Sequence, residues 1–312
     1  MEARTTVVVV TWRGRAHVGA CLDALAAQTR PHRTVVLDNA SDDGTSALLA
    51  AHPSAPSTIR LDHNAGYAGG LAAALPAVDT EYVAWLNDDA APSADWLAAL
   101  EDALDAEPRA GAASAGLHRP DGSVQSIGVR LTPLGYGMDV TEGEIFGFCG
   151  GAALLRTAAL ADAGGVPGDF FCYYEDTDTS WRLRLRGWTV LSVPAARVTH
   201  LHGASSKPGS RSFHRWNERN RLLVLLRCAP LAVAVREIAR FAAITAVLPL
   251  RRSAPAAANF DVRLRWGVLT EVAARLPGVV GRRRAISRRC AIGRTAVWRQ
   301  AHGGGQASVS GG

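Results

Sequence analysis

Val7-Val8-Val9-Val10, an unbroken β-branched run close to the start of the chain, constrains the fold more than any other feature. A run without polar alternation predicts a strand covered on both faces, as in a parallel sheet layered between helices. Residues 17–28 then place Val18, Cys21, Leu22 and Leu25 on one helical face, and Pro31 ends the segment. A second strand at 34–37 runs into the polar loop Asp38-Asn39-Ala40-Ser41-Asp42-Asp43-Gly44-Thr45, which can cap a helix at 46–51. The grammar is βαβ.

A third short strand is predicted at 59–61, followed by Asn64-Ala65-Gly66-Tyr67-Ala68-Gly69-Gly70 and an alanine-rich helix. The strand at 81–86 ends on Asn87-Asp88-Asp89, and an amphipathic helix covers 96–104. Ligands of open α/β sheets sit beyond the carboxyl ends of the strands, so these polar clusters point to one site. Residues 110–150 read as short strands and glycine-rich turns, and 170–186 alternate aromatics, acids and arginines. A last strand is expected at 188–193, stopping at Pro194, and a helical pattern fills 217–250.

The length of 312 residues and the 48% hydrophobic content exclude wholesale disorder and allow one large α/β domain with an appendage, or two domains. Charge is unevenly placed. Residues 1–202 carry 14 Arg against 24 acids, a net of −10, whereas 203–312 carry 20 Arg and Lys against four acids, a net of +16. The segment 282–299 interleaves seven arginines with Ile286, Ile292, Val297 and Trp298, a composition suited to an interfacial helix on anionic lipid. Nucleic acid is the competing partner for such a tail, and the absence of a reading module argues against it. Five cysteines without a C-x-x-C pair indicate neither a disulfide framework nor a cysteine zinc site. No stretch reaches ~18 uncharged apolar residues and the start lacks signal-peptide regions, so a cytoplasmic location is expected.

Asn87-Asp88-Asp89 places adjacent carboxylates where a hard divalent ion bridging to phosphate would relieve their repulsion; a solvated helix-capping turn is the bland alternative. Glu175-Asp176 lies between Tyr173-Tyr174 and Trp181, a setting able to raise a pKa and create a general base. Asp178 is expected to pair with Arg182 or Arg184. His200 and His202 point to opposite faces of an extended segment, so one of them can enter the site. Asp38 suits either a nucleoside contact or an Asx turn. The P-loop, dinucleotide-binding and nucleophile-elbow signatures are absent.

Taken in order, Val7 to Thr11, the 38–45 loop, Asn64 to Gly70, Leu86-Asn87-Asp88-Asp89, Gly150-Gly151-Ala152, Tyr174-Glu175-Asp176-x-Asp178, Val198-x-His200-x-x-Gly203-x-Ser205 and Arg219-Asn220 resemble the family 2 glycosyltransferases of the GT-A fold, most closely the rhamnosyltransferase-like branch. The resemblance covers about residues 5–221. It implies an α/β, mostly parallel Rossmann-like sheet flanked by helices, with a helical basic extension at 222–300 and a disordered tail at 301–312.

It further implies inverting transfer from a nucleotide-diphosphate sugar, dTDP- or UDP-linked with rhamnose as the first guess, to a hydroxyl of a cell-envelope glycan or lipid-linked acceptor. Thr11, Trp12, Asp38, Asn64, Gly66 and Asp88 would bind the donor nucleotide. Asp89 and His200, with Asp88 near, would hold Mn²⁺ or Mg²⁺. Asp176 would be the base and Glu175 its neighbour and understudy, with Gly150, Gly151 and Trp181 at the sugar or acceptor. Two positions depart from the pattern: Asn87 stands first in the D-x-D motif, and Leu71-Ala72-Ala73-Ala74 follows the glycine pair where the family commonly has Asn or Arg. A nucleotide-sugar-binding scaffold and a nucleotidyltransferase of similar fold are the alternatives. The place expected for the protein is the inner face of the cell membrane, bound peripherally.

Overall fold

The computed structural model describes residues 2–201, 209–250 and 257–303. The first part is the predicted alternation: β1 (Thr5–Thr11), α1 (Val18–Ala26), β2 (His32–Asp38), α2 (Thr45–Ala51), β3 (Ser57–Arg60), α3 (Gly66–Ala74) and β4 (Tyr82–Asn87). β2 pairs with β3 and β1 with both β2 and β4, all parallel, and Thr11 lies level with Asp38. This register brings the polar ends of β1, β2 and β4 to one edge.

The valine run divides by parity, as a strand must. Val7 and Val9 join Leu22, Leu97 and Leu100 in the core on one face, while Val8 and Val10 join Leu71 and Trp85 in the core on the other. All are buried. At roughly 1.5–3 kcal/mol for each buried aliphatic side chain, this strand anchors both layers.

Beyond β4 the sheet becomes mixed. β5 (Ala90–Pro92) and α4 (Trp96–Ala106) lead to β6 (Ala110–His118), then β7 (Val124–Ser126), β8 (Gly128–Leu131), β9 (Gly137–Val140) and β10 (Ala152–Arg156). β10 enters antiparallel between β4 and β6, so the expected parallel order holds only for the first half. α5 (Thr157–Asp162), α6 (Glu175–Leu185) and β11 (Thr189–His200) follow. Among the described residues the order is β3-β2-β1-β4-β10-β6-β11-β5, with β7 on β6 and β8-β9 as a separate ribbon. Pro194 does not end β11. The register slips between Val193 and Arg197, and pairing with β6 resumes to Thr199. A bulge tolerates the missing N–H that would break a regular ladder.

The basic half is helical: α7 (Arg211–Cys228), α8 (Leu231–Val247), α9 (Val262–Arg289) and α10 (Arg294–Gly303). The boundary expected at 221/222 falls inside α7. Leu222, Leu225, Phe241, Val268 and Val297 share one core with Trp181 of α6, and Trp181 stacks on Trp298 with ring centres 5.7 Å apart. Ala291 and Ile292 donate backbone hydrogen bonds to the Leu185 carbonyl at 2.8 and 3.1 Å. The 282–299 segment is therefore bound into the body of the protein. Of the tail expected to be disordered, residues 301–303 continue α10 and 304–312 lie outside the described residues.

Candidate active site

A cavity of about 580 Å³ opens at the carboxyl ends of β1, β2 and β4. Trp12, Asn39, Asn64, Gly66, Asn87 to Asp89, Gly150, Gly151, Glu175, Asp176 and His200 line it. Phe171, Tyr173, Phe213 and Trp216 add an aromatic wall from the 170–174 loop and α7. Most of the predicted site thus converges from segments more than 80 residues apart in sequence.

Thr11 Oγ1 donates to Asp88 Oδ2 at 2.6 Å. Burial pushes the Asp88 carboxyl up to about 6; the Thr11 bond opposes this and the adjacent Asp89 reinforces it. Gly14 makes the arrangement possible, since a Cβ there would lie 2.1 Å from Thr11 Oγ1 and 2.4 Å from Asp88 Oδ2. Asp89 Oδ1 lies 3.1 Å from His200 Nε2, both side chains being buried. β5 and β11 hold them in register, with Ala90 opposite His200 and Leu201 N donating to the Asp89 carbonyl at 3.1 Å. Asn87 Nδ2 lies 3.1 Å from the same Nε2, and Gln125 Oε1 lies 3.1 Å from Nδ1.

Among the described residues no group of three or more His, Cys, Asp and Glu side chains is clustered to hold a metal ion. The Asp89–His200 pair nevertheless fits one. A carboxylate oxygen and an imidazole nitrogen 3.1 Å apart are a donor pair that would suit Mn²⁺ or Mg²⁺.

The loop before α6 carries backbone strain. Phe171, Tyr173 and Tyr174 hold φ of 68°, 70° and 69°, a region that costs non-glycine residues energy unless neighbours enforce it. The enforcement comes from α7. Asn220 Nδ2 donates to the carbonyls of Phe170, Cys172 and Tyr173 at 3.1, 2.9 and 2.8 Å, and Arg219 Nη2 to that of Phe170 at 2.5 Å. Gly66 closes against this loop; a Cβ there would meet the Phe171 carbonyl at 2.2 Å.

The clamped loop delivers Glu175 and Asp176 on the first turn of α6. Asp176 Oδ2 accepts from Gly150 N at 3.0 Å and its Oδ1 from Thr177 N at 2.5 Å. Glu175 Oε2 is buried without a hydrogen-bond partner. Burial, then the charge of Asp176, pushes the Glu175 carboxyl far above the usual carboxylate range. Asp176 is also raised, by burial, against the bonds from Gly150 and Thr177. The pair can keep one proton near neutral pH.

Several expected positions stand elsewhere. Thr11 and Asp38 lie beneath the cavity, where Asp38 is fully buried and accepts from Ser41 N, Ser46 Oγ and Arg60. Asn64 lines the cavity while its Oδ1 accepts from Gly66 N at 2.8 Å. Trp181, expected at the sugar or acceptor, does not line the cavity: it is fully buried between Phe146 and Trp298. Six residues from Glu175, it points about 240° round the helix. Asp178 pairs with Arg182 at 2.7 Å, as expected. His202, Gly203 and Ser205 lie outside the described residues. Sequence reasoning missed Gly14, Gln125 and Asn39; the last bonds Gly66 O and Ala65 N, pinning the loop above β2.

A family model described as glycosyl transferase family 2 matches residues 6–164. N-acetylglucosaminyl-diphospho-decaprenol L-rhamnosyltransferase from Mycobacterium tuberculosis is 27% identical over 241 residues, covering 65% of this chain and 78% of that protein. A mannosyltransferase from Pyrobaculum calidifontis, solved in complex with GDP-Man and Mn²⁺, superposes with a TM-score of 0.53 at 21% identity, over 97% of this chain and 80% of its own. TarS from S. aureus in complex with UDP-GlcNAc gives a TM-score of 0.57 at 18% identity, over 96% and 92% of the two chains. At these identities the solved structures share the fold.

Proposed function

This chain belongs to glycosyl transferase family 2, and we propose that it moves a hexose, rhamnose first among the candidates, from a dTDP- or UDP-linked donor to a hydroxyl of a lipid-linked envelope glycan, inverting the anomeric carbon. Membership in the family sets aside the scaffold and nucleotidyltransferase alternatives. The choice of sugar and acceptor rests on likeness to the rhamnosyltransferase that acts on N-acetylglucosaminyl-diphospho-decaprenol.

One observation carries the reading: the Asp88, Asp89 and His200 group and the Glu175–Asp176 pair line the same cavity. Asp89 and His200 would hold the divalent ion, which when bound neutralises charge developing on the leaving diphosphate. Trp12, Asn64 and Gly66 would bound the nucleoside side, with Thr11 and Asp38 supporting them from below. Asp176, fixed by Gly150 N–H, takes the acceptor proton as its oxygen bonds to the anomeric carbon and the nucleoside diphosphate departs from the other face. Such base catalysis typically contributes ~10²–10⁴-fold. Glu175, kept neutral by burial, donates to a sugar or acceptor hydroxyl at Gly150 and Gly151.

The basic helices supply a surface for the membrane carrying the acceptor. Among the described residues no helix is long and apolar enough to cross a membrane. Along α9, Trp266, Ala273, Pro277, Val280, Arg284 and Arg288 fall on one exposed stripe, apolar at one end and cationic at the other. The helical extension at 222–300 is thus read as a peripheral anchor at the inner face of the cell membrane.

The test is release of nucleoside diphosphate and glycosylated product from dTDP-rhamnose or UDP-sugars, with Mn²⁺ and a polyprenyl-diphosphate N-acetylglucosamine acceptor. Asp176→Asn is expected to lower turnover ~10²–10⁴-fold while nucleotide binding persists. Full turnover by that variant would remove Asp176 as the base. Product that retains the donor's anomeric configuration would exclude inversion.

A further inference from the structure

Four aromatic rings line the cavity without a part in proton transfer or metal binding. Phe171 and Tyr173 come from the clamped loop before α6, and Phe213 and Trp216 from the first turns of α7. Resting on the transferase reading, we propose that these rings form the platform for the acceptor sugar, against which the apolar face of its pyranose ring stacks so that a hydroxyl reaches Asp176.

Rings of this size are ordinarily used in packing. Trp85, Trp96, Phe148 and Phe170 are fully buried in this chain, whereas Phe171, Tyr173, Phe213 and Trp216 are each half-buried and keep surface open to the cavity. They also touch one another. The ring centres of Phe171 and Trp216 lie 4.7 Å apart at 36°, those of Tyr173 and Trp216 lie 6.5 Å apart at 39°, and Phe213 meets Tyr173 edge-on at 5.1 Å. The result is one apolar patch in a cavity whose other lining includes Asp88, Asp89, Glu175 and Asp176.

A pyranose fits such a patch. One face of the sugar ring presents C–H groups with slightly positive hydrogens, and an aromatic face is negative, so stacking removes apolar surface from water and adds a favourable electrostatic contact. Asn217, which also lines the cavity, supplies a polar group beside the rings: its Nδ2 donates to the Phe213 carbonyl at 2.9 Å, and its Oδ1 can accept from a sugar hydroxyl. Chain position favours the acceptor over the donor. Tyr173 stands two residues before Glu175, so one loop carries both rings and acids into the cavity, whereas Trp12, Asn39 and Asn64 follow β1, β2 and β3. The platform is preformed as well. Asn220 and Arg219 hold the loop that carries Phe171 and Tyr173 before any ligand arrives, which lowers the ordering cost of binding.

Calorimetry on the full chain, with UDP and Mn²⁺ present, compares two probes: N-acetylglucosamine carried on the diphosphate of a short prenyl chain, and the same prenyl diphosphate without the sugar. The native chain is expected to bind the sugar-bearing probe more tightly. Trp216→Ala should weaken that probe about 10-fold while leaving the sugar-free probe and UDP unchanged, and Trp216→Phe should recover most of the loss. Phe213→Ala should shift binding the same way and carries the test if Trp216→Ala does not fold. In steady-state transfer, these variants should raise KM for the acceptor and leave KM for the donor unmoved. Equal binding of the two probes by the native chain overturns the proposal, as does unchanged binding in both alanine variants at native melting temperature. Equal weakening of both probes would assign the rings to the prenyl chain, and weakened UDP binding would assign them to the nucleobase; either result overturns the sugar platform. Sugar-selective binding without transfer from any donor would instead remove the transferase reading and leave the platform standing.

Discussion

Asn220 Nδ2 donates to the Tyr173 carbonyl at 2.8 Å, joining the long helix α7 to the strained loop that presents Glu175 and Asp176. The same amide reaches Phe170 and Cys172, so one side chain serves three carbonyls of a loop whose φ values are unfavourable. Asn220→Ala strands those carbonyls. We expect a loss of about 2–4 kcal/mol by chemical denaturation, and a fall in kcat of ~10²-fold as Glu175 and Asp176 drift from their geometry. A variant with native stability and native kcat would show that α7 does not hold the loop.

Glu175 is stabilised in its neutral form by burial, and this sets the sign of a pH effect. The unfolded carboxyl ionises near 4.5, whereas the folded one holds its proton to higher pH. Between those values the native state binds the extra proton, so raising pH lowers stability, and the protection is complete only below 4.5. Glu175→Gln lacks that slope. Its melting temperature should exceed that of the native chain at neutral pH, by an amount that grows with pH until the folded carboxyl ionises at about 8 and that vanishes in acid. Parallel curves for the two proteins would mean that Glu175 is not held neutral.

Much of this was legible from sequence because the signals are local. A valine run, polar strand ends and paired acids each report their own segment, and α1, α4 and the first four strands fell within a few residues of expectation. The antiparallel insertion of β10 left no such mark, since pairing depends on which partner strand is left open. Gln125 is 75 residues from His200, and no periodicity links the two. Trp181 misled because it adjoins the acids in sequence, whereas the helix turns it into the core shared with Trp298. The basic tail was legible as composition but not as architecture, because Val268, Val272 and Val279 of α9 are buried against residues of α6 and α7, partners that no local spacing reports.

Gly14 carries a stronger constraint than its unremarkable sequence context suggests. A methyl group there must displace the Thr11 hydroxyl or the Asp88 carboxylate, which are hydrogen-bonded to one another. Gly14→Ala should cost about 1–3 kcal/mol of stability and weaken UDP or dTDP binding in calorimetry. Gly19 on α1 supplies the control, because a Cβ there meets nothing within 4 Å. Gly19→Ala should leave binding intact and raise stability by about 0.5–1 kcal/mol. Equal nucleotide affinity in both variants would detach the Thr11–Asp88 pair from the donor site.

Removal of residues 282–312 is a poor test of membrane binding, because Val297 is fully buried and Arg283 donates to the Leu226 and Ala229 carbonyls at 2.7 and 2.9 Å. Truncation would open the core that also holds α6. Substitutions on the exposed stripe of α9 separate the two effects. Trp266 is 51% exposed, and Arg284 and Arg288 are exposed one turn apart. Each arginine near an anionic leaflet is worth about 1 kcal/mol. Arg284→Glu with Arg288→Glu should therefore lower sedimentation with phosphatidylglycerol vesicles by more than ~10-fold, without lowering the melting temperature. Trp266→Ser should weaken the same binding even at high salt, where the charge contribution is screened. Undiminished vesicle binding by both variants would place the contact on another face, and α8, with Leu231, Val235 and Val247 exposed, would be the next surface to alter.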